Sequence, residues 1–426
     1  MNILHVVQLY HPVQTGSARY FIEIGARFVQ DGHQVTVLAT DAYDLEHFWM
    51  AGKRRAEPTE EWHQGVRIVR LPVRRIPGPP IVYPIVRRLM VELSRLSGST
   101  PLLRRLAMLT PQLPGFEPFL RAHTAAPFDL IHTTNITLDF AIIPAFAFAK
   151  RHHIPFFCTP LMHLGVPGDR SLLRYYSMRH QLDILRHSDC VLTMTNIERD
   201  FLAARGVPKQ RLRGVGVGVT PAEITGGDGT RFRAEQQIDG PIVLAIGAMA
   251  ADKGTPHVVA AMQHLWACGT NATLVLIGAP LDHFRAFYDE LAPDIRARTR
   301  LLAYAPEQVK RDALAAATLL ALPSRTDSFG IAFLEGWVYG LPVVGARAGG
   351  IPDVIDEGRD GLLVPFGDVD ALAAAFARLL ANPNEAQAFG AAGRAKVLRD
   401  MTWDSVYERV RAAYTQSSKF KMKSSK

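Results

Sequence analysis

The sequence predicts an α/β protein with two doubly wound, Rossmann-like domains that face a cleft. Short β-prone runs alternate with helical stretches along nearly the whole chain, and this alternation is typical of parallel βαβ units. A turn-rich segment at 225–229 divides the alternation into two series. The chain has 426 residues, whereas single domains mostly hold about 100–200, so one compact core is excluded.

The first series begins with a strand, a helix and a second strand. The segment 18–30 has apolar residues near helical spacing, and Asp31-Gly32-His33 ends it. The β-branched run at 35–39 then forms a βαβ unit with the run at 3–7. The later elements repeat this unit, with strands at 129–132, 155–159 and 189–193 and a helix at 140–150.

The second series predicts another parallel sheet. Helical stretches separate its strands, including an alanine-rich helix at 368–380. In open sheets of this kind, ligands bind outside the carboxyl ends of the strands, so functional residues are expected in the loops that follow them. The predicted strands are 242–246, 273–277, 299–302, 319–322, 343–346 and 362–364.

These elements predict the domain boundaries. We expect an N-terminal domain at 1–220 and a C-terminal domain at 221–400. The closing helix, at 401–416, has an apolar side and is expected to cross back and pack on the N-terminal domain. The tail at 417–426 is rich in serine and lysine, and we expect it to be disordered.

The composition excludes several classes of protein. A hydrophobic content of 48% with 21% charged residues excludes wholesale disorder, collagen and coiled coil. The net charge of +8 permits anionic partners, but no aromatic-interleaved basic patch appears, so nucleic acid is not an expected partner. The three cysteines form no CxxC pair, which indicates buried thiols in a reducing compartment. Without a signal peptide or an apolar run of about 20 residues, the chain is expected to be cytoplasmic.

The most informative segment lies between the strand at 319–322 and a helix that starts near Gly330. The free N–H groups at such a helix start suit phosphate oxygens. Glu335 lies one turn into that helix, where a carboxylate can accept two hydrogen bonds from a ribose diol. Asp327 lies in the loop and can reach a group attached to the diphosphate. The plainer alternative is that Glu335 is a solvated helix residue and Asp327 a helix cap.

The block 320–366 resembles the retaining, nucleotide-sugar-dependent glycosyltransferases of the GT-B type, the family 4-like "group 1" enzymes. Their signature places a glutamate after an acidic residue and seven intervening residues, and Asp327 and Glu335 have this spacing. Several other parts of the sequence also fit the family: Pro323, Ser324, Phe329, Gly330, the runs at 340–344, 349–355 and 360–364, and the pairs Thr15-Gly16 and Gly32-His33.

The resemblance implies a role for each matching residue. Glu335 would bind the ribose hydroxyls, and Asp327 would bind hydroxyls of the transferred sugar and act as a catalytic residue. Phe329 belongs to the donor-binding run, in which the amides of Gly330 and Ile331 would bind the diphosphate.

Gly16, in the first loop of the N-terminal half, would approach the phosphate or the acceptor closely; taken alone, it is a turn glycine. The N-terminal domain would bind the acceptor and the C-terminal domain the nucleotide sugar.

Two residues depart from the family pattern. Asp327 replaces a glutamate and is shorter by one C–C bond of about 1.5 Å. Lys253 is present, but Ala248 stands where the family has an arginine. The lysine and arginine would neutralise the leaving nucleoside diphosphate, and losing one cation would cost about 10²–10³ in rate. Arg325 and Arg347 are candidates for a substitute cation.

His163 follows the strand at 155–159, where family members place a histidine near the reacting sugar. The resemblance therefore implies that His163 is catalytic, and the alternative is an ordinary polar loop residue. Asp169 and Arg170 follow closely and are candidates for orienting the acceptor.

The segment 73–105 has arginines interleaved with aliphatic residues, and the apolar residues of 85–96 fall near helical spacing. This pattern suits a peripheral contact with an anionic membrane, at its inner face for a cytoplasmic protein. The alternative is an ordinary helix on the core with solvated arginines.

Taken together, these features predict a hexosyltransferase. It would move a hexose from a nucleoside diphosphate sugar to a hydroxyl of a saccharide or lipid-linked acceptor, with retention, in polysaccharide or glycolipid biosynthesis. Neither a cofactor nor a metal is expected, because no HExxH, CxxC or DxD-type cluster appears. Two alternatives stay open: a weakly active or inactive nucleotide- or carbohydrate-binding homologue, suggested by Ala248, and a nucleotide-sugar epimerase on the same fold.

Overall fold

The computed structural model describes residues 1–13, 15–124 and 128–424, with the backbone alone over 417–424. The described chain forms two compact units. The N-terminal unit comprises Met1–Met162, Arg170–Val215 and Tyr407–Lys426. The C-terminal unit comprises His163–Asp169 and Gly216–Val406. The units therefore divide after Val215, five residues before the predicted boundary, and the short segment His163–Asp169 belongs to the C-terminal unit.

The N-terminal unit is built on an eight-stranded sheet with the order β3-β4-β2-β1-β5-β6-β7-β8. Among the described strands of this sheet, β3 alone runs antiparallel to its neighbour. Side chains of β5 are buried on both faces, as expected for a parallel strand covered by helices. The strands are β1 (Asn2–Val6), β2 (Gln34–Thr40), β3 (Glu60–His63), β4 (Val66–Leu71), β5 (Leu130–Thr134), β6 (Phe156–Thr159), β7 (Cys190–Thr193) and β8 (Leu212–Gly214).

Seven α-helices accompany this sheet in the described part of the chain. The first begins where the Thr15 hydroxyl accepts a hydrogen bond from the Ala18 N–H. The helices are α1 (Gly16–Gln30), α2 (Val82–Leu93), α3 (Thr100–Ala107), α4 (Phe116–Ala122), α5 (Asp139–Arg151), α6 (Arg179–His187) and α7 (Asn196–Ala203). No described helix is both long and apolar enough to cross a membrane.

The C-terminal unit has a six-stranded parallel sheet with the order β11-β10-β9-β12-β13-β14. Its strands are β9 (Ile242–Ile246), β10 (Thr273–Gly278), β11 (Thr299–Ala303), β12 (Leu319–Leu322), β13 (Val343–Ala346) and β14 (Gly361–Val364). The strand order reverses between β9 and β12, which is the switch point where ligands bind in open α/β sheets. The prediction of two Rossmann-like, doubly wound domains is confirmed.

Helices cover this second sheet as well. Apolar side chains of α10 and α16 form part of its core with residues of β9, β10 and β12. The helices are α8 (Pro221–Ile224), α9 (Gly229–Gln236), α10 (Thr255–Ala267), α11 (Asp282–Asp289), α12 (Pro293–Ala297), α13 (Glu307–Ala316), α14 (Ile331–Val338), α15 (Ile351–Val354), α16 (Val369–Ala381) and α17 (Pro383–Asp400).

The closing helix α18 (Trp403–Ser424) belongs to the N-terminal unit from Tyr407 onward. Its backbone is helical to Ser424, although the sequence predicts disorder over 417–426. Serine and lysine residues can continue an existing helix, because each residue that joins the helix adds one backbone hydrogen bond. Residues 425–426 lie outside the described residues.

A buried polar network connects α18 to the sheet. The Tyr414 hydroxyl lies 3.1 Å from His5 Nε2 and 2.6 Å from His132 Nδ1. His132 Nε2 lies 2.7 Å from the Thr159 hydroxyl. All four side chains are fully buried. Burial lowers the pKa of His5 to about 3 and the pKa of His132 well below its ordinary value, so both imidazoles are neutral near pH 7.

We expect Tyr414→Phe to lower the free energy of unfolding by about 1–3 kcal/mol, because it removes the hydrogen-bond partner of buried imidazole nitrogens. Chemical denaturation followed by circular dichroism measures the change. Tyr43→Phe is the matched control, because no described residue bonds the Tyr43 hydroxyl, and it should cost less than about 0.5 kcal/mol. Equal losses in both variants would show that this network does not stabilise α18.

Candidate active site

The candidate site is formed by loops at the carboxyl ends of β9, β12 and β13. Residues 247–254 connect β9 to α10, residues 323–330 connect β12 to α14, and residues 347–350 connect β13 to α15. Because β9 and β12 flank the switch point, the first two of these loops start side by side. The predicted residues Lys253, Asp327 and Gly330 all lie in them.

Lys253 and Asp327 form an ion pair, with 3.2 Å between Lys253 Nζ and Asp327 Oδ1. Their side chains are 24% and 21% exposed. The other carboxylate oxygen, Asp327 Oδ2, is buried and has no hydrogen-bond partner within the described residues. A buried oxygen without a partner costs free energy, so this atom is suited to accept a hydrogen bond from a ligand hydroxyl.

Asp252 holds the two loops together. Its carboxylate accepts a hydrogen bond from the Thr326 hydroxyl at 2.9 Å, and its carbonyl accepts one from the Arg325 N–H at 3.0 Å. Gly254 has a φ of +76°, and a Cβ atom there would clash with the Pro323 carbonyl oxygen. These contacts hold the two loops that carry the ion pair in a fixed position. The sequence did not reveal this contact, because Asp252 and Thr326 are 74 residues apart and meet only where the two loops lie side by side.

The β13 loop fixes the backbone of Asp327 and the segment that carries His163. The Gly350 N–H donates to the Asp327 carbonyl at 3.0 Å, and the Gly349 N–H donates to the Gly165 carbonyl at 2.8 Å. This second bond helps to explain why His163–Asp169 belongs to the C-terminal unit rather than to the N-terminal half predicted from the sequence.

His163 lies close enough to the ion pair to interact with it electrostatically. Burial and the Lys253 ammonium lower the pKa of His163 to about 4, although Asp327 and Asp252 act in the opposite direction. The imidazole is therefore neutral near pH 7. The structure thus brings together the three residues for which the sequence predicts a catalytic role.

Glu335 is not a freely solvated helix residue. Its Oε1 lies 2.8 Å from Lys310 Nζ, and the same ammonium lies 2.8 Å from Glu307. Burial disfavours the charged ammonium, but Glu335 and Glu307 raise the pKa of Lys310 above its ordinary value. Lys310 therefore orients Glu335, the residue predicted to bind the ribose. The sequence did not reveal this contact, because Lys310 lies on another helix, α13.

The start of α14 has free donors, as predicted. The N–H groups of Gly330 and Ile331 have no acceptor among the residues that the structure describes. Gly330 has a φ of +90°, and a Cβ atom there would contact the Phe333 ring at 2.6 Å. Phe329 is buried beside it. The binding of a diphosphate by these residues stays a prediction.

Ala248 lies beside Lys253, and the two residues line one small depression with Met249 and Pro323. Neither proposed substitute lines it. The Arg325 guanidinium lies 5.4 Å from the centre of the Phe366 ring, and Arg347 pairs with Glu357 on the surface. Within the described residues, Lys253 is the only cationic side chain that lines this depression.

The other predicted residues are not tested by this arrangement. Gly16 is the first residue of α1 in the N-terminal unit, and its approach to a phosphate or acceptor stays a prediction. The same holds for Asp169 and Arg170 as acceptor ligands. No group of three or more metal-ligating side chains occurs in the described ranges, and metal independence likewise stays a prediction.

Glu198, at the start of α7, fixes the ends of β6 and β7 in the N-terminal unit. Its carboxylate accepts hydrogen bonds from the N–H groups of Met162 at 2.9 Å and Met194 at 2.7 Å. Met162 is the residue before His163. Burial raises the pKa of Glu198 to about 7. The sequence contained no signal for this role, because the three residues meet only in the folded sheet.

Two family models match the chain, one in each half. Residues 15–218 match the family described as Glycosyl transferase 4-like domain, and residues 228–396 match Glycosyl transferases group 1.

Curated relatives include a GDP-mannose-dependent monoacylated alpha-(1-6)-phosphatidylinositol monomannoside mannosyltransferase of Corynebacterium glutamicum. It is 28% identical over 255 residues, which cover 58% of this chain and 65% of the relative. An alpha-maltose-1-phosphate synthase of Mycolicibacterium smegmatis is 31% identical over 195 residues, which cover 42% and 48%. The matches thus span about half to two thirds of these relatives.

Solved structures resemble the chain over almost its whole length. Sucrose-phosphate synthase from Thermosynechococcus elongatus has a TM-score of 0.73 at 21% identity, with 98% of this chain and 99% of that chain covered. HepE from Anabaena in complex with UDP-glucose has a TM-score of 0.71 at 15% identity, with 98% and 100% covered. At these identities the likeness shows the GT-B fold alone.

The Glu198 contacts lead to a pH prediction. The carboxyl group ionises near 4.5 in the unfolded chain and near 7 in the folded one, so its contribution to stability is highest below pH 4.5 and is lost as the pH rises to 7. We expect wild type to lose about 1.4 kcal/mol per pH unit over this range relative to Glu198→Gln. Thermal unfolding at a series of pH values measures this difference.

Asp200→Asn is the matched control, because Asp200 lies on the same helix with its side chain 70% exposed. It should keep the pH slope of wild type. If Glu198→Gln also keeps the wild-type slope, the Glu198 carboxyl does not titrate differently in the folded protein.

Proposed function

We propose that this chain, a group 1 glycosyltransferase, transfers a hexose from a nucleoside diphosphate sugar to a hydroxyl group of an acceptor. The observation that carries the proposal is the Lys253–Asp327 ion pair beside His163, with Asp327 Oδ2 buried and unpaired. The site combines the Lys253 cation, a carboxylate oxygen that can accept a hydrogen bond from a sugar hydroxyl, and free N–H groups at a helix start. These groups lie at one switch point and suit the sugar and the phosphates of a nucleoside diphosphate sugar.

The donor would bind along β12 and α14. The ribose hydroxyls would donate to Glu335, which Lys310 holds in place. The diphosphate would accept hydrogen bonds from the amides of Gly330 and Ile331 and would contact Lys253. A hydroxyl of the hexose would donate to Asp327 Oδ2 and so satisfy the one oxygen of that carboxylate without a partner.

The proposed reaction retains the configuration at the anomeric carbon. The bond from that carbon to the phosphate oxygen breaks, and a bond to the acceptor oxygen forms on the same face through an oxocarbenium-like state. The acceptor proton passes to the departing phosphate. Lys253 and the helix amides would stabilise the negative charge that grows on the phosphate, so the protein contributes orientation and electrostatics without a metal.

His163 would act on the sugar as a neutral imidazole. A neutral ring can exchange hydrogen bonds with hydroxyls of the reacting hexose, and it adds no cation next to Lys253. The low pKa of His163 supports this form at neutral pH. We therefore propose that His163 orients the hexose and does not act as a strong general base.

The proposed acceptor is a saccharide or a lipid-linked saccharide in polysaccharide or glycolipid synthesis. The mannosyltransferase relative acts on a phosphatidylinositol mannoside by its name, which supports a lipid-linked acceptor. The surface of α2 supports it too. Ile85 and Leu89 are 57% and 50% exposed, whereas Arg87 is buried. An ordinary amphipathic helix on the core would bury its aliphatic side chains and expose its arginines. We therefore propose a contact with an anionic membrane at its cytoplasmic face.

A nucleotide-binding homologue with weak activity is the second candidate. Ala248 favours it, since no described arginine lines the depression that Ala248 shares with Lys253. Binding and turnover measured separately distinguish the two candidates.

We expect Glu335→Gln to weaken the binding of the preferred nucleoside diphosphate sugar by about 10–100-fold, the value of a hydrogen bond to a charged group. A thermal-shift panel of nucleoside diphosphate sugars identifies the preferred donor, and calorimetry then measures its affinity.

Glu307→Gln is the matched control, because Glu307 contacts the same Lys310 ammonium but its side chain is 59% exposed. The control should bind the donor about as well as wild type. If both variants bind equally well, Glu335 does not hold the ribose.

We expect Ala248→Arg to increase kcat/KM, by up to about 10²–10³-fold, because it restores a second cation next to Lys253. Ala251→Arg adds the same charge to an exposed position of the same loop and should leave kcat/KM near the wild-type value. An unchanged rate in Ala248→Arg would show that another group already neutralises the diphosphate.

A further inference from the structure

We propose that a cavity in the N-terminal unit binds the acyl chain of an anionic lipid. The cavity lies between α4 and α5 and has a volume of about 540 Å³. This volume falls within the range of about 300–1,000 Å³ that is usual for sites of small organic ligands. None of the residues predicted to take part in sugar transfer lines it.

The walls of the cavity are mainly apolar. Phe116 and Leu120 of α4 face Phe140, Ile143 and Phe148 of α5 across it. On α5, the lining residues Phe140, Pro144, Ala147 and Arg151 lie three or four residues apart, so this helix presents one face to the cavity. A mainly apolar wall fits a flexible hydrocarbon chain, which gains free energy from leaving water.

The polar groups around the cavity carry a net positive charge. Arg74, Arg121 and Arg151 line it with a single carboxylate, Glu117. Glu117 pairs with Arg121 at 3.2 Å, whereas the side chains of Arg74 and Arg151 are exposed and have no ion-pair partner among the described residues. Two unpaired guanidinium groups beside an apolar cavity complement the anionic head group of a lipid.

Exposed apolar side chains lie close to the cavity along the chain. Met108 lines the cavity and is 39% exposed, and the adjacent Leu109 is 42% exposed. Leu102 of α3, one helical turn and a half earlier, is 48% exposed. These exposed apolar side chains favour contact with an acyl chain, whose charged head would lie at Arg74 and Arg151.

This inference rests on the proposed membrane contact for the source of the lipid, but it requires no sugar transfer. We would titrate the full chain with palmitate, below the concentration at which palmitate forms micelles, and measure heat by calorimetry. Wild type should bind one palmitate in a saturable step. Hexadecanol, which lacks the negative charge, should bind about tenfold more weakly or not at all.

Ala147→Trp tests the cavity, because Ala147 is exposed and lines it, so a large ring there fills the space without disturbing the core. It should weaken palmitate binding at least about tenfold. Ala204→Trp, at an exposed position after α7, is the matched control and should bind like wild type. Thermal unfolding checks that both variants fold.

Arg151→Glu tests the charge by a variant that leaves the cavity volume nearly intact. It should weaken palmitate binding, whereas Arg199→Glu, on an exposed face of α7, should not. No saturable binding by wild type, binding of many palmitate molecules as to a detergent, or unchanged binding by Ala147→Trp would each overturn the proposal.

The assay separates this proposal from the proposed function. Ile85→Glu should reduce binding to vesicles that contain phosphatidylglycerol but leave palmitate binding unchanged, because Ile85 does not line the cavity. A chain that binds palmitate but transfers no sugar would contradict only the proposed activity. A chain that transfers sugar but binds no palmitate would contradict only the acyl-chain site.

Discussion

The ion pair between Lys253 and Asp327 is the contact on which the candidate active site depends. It joins the loops after β9 and β12, so it exists only because these strands are neighbours in the sheet. Asp252 and Thr326 form a second contact between the same loops. A side chain at Gly254 or Gly349 would clash with backbone of the loop after β12, so close backbone packing keeps the carboxylate in place.

The N-terminal unit uses a buried ion pair in a different way. Asp139, at the start of α5, lies 2.7 Å from Arg87 of α2 and 2.8 Å from His180 of α6. Burial acts to raise the pKa of Asp139, but Arg87 and His180 lower it to about 2, so the carboxylate is charged. Because α2 turns Arg87 inward, its aliphatic residues Ile85 and Leu89 face outward. The inward position of Arg87 thus explains why the side chains of Ile85 and Leu89 are exposed.

Much of the fold was predictable because strands and helices are encoded locally. Three strands, β9, β12 and β13, have the bounds that their apolar runs predict, since each run is buried and ends at a turn or polar residue. Strands β3, β4 and β8 were missed. The edge strands β3 and β8 have largely polar sequences, and only pairing with a neighbour makes them strands. The run at 66–71, which forms β4 beside β2, was not assigned. Disorder of the tail stays a prediction, and the described backbone continues α18 to Ser424.

The sequence by itself determined which chemical groups this protein has: the spacing of Asp327 and Glu335, the retained Lys253 and the missing arginine at position 248. Only the tertiary structure determined which other side chains contact the residues of the site. Lys310 reaches Glu335 from 25 residues away, and Thr326 reaches Asp252 across 74. Local patterns cannot specify such contacts, because the order of the strands in the sheet, and not distance along the chain, sets which loops meet.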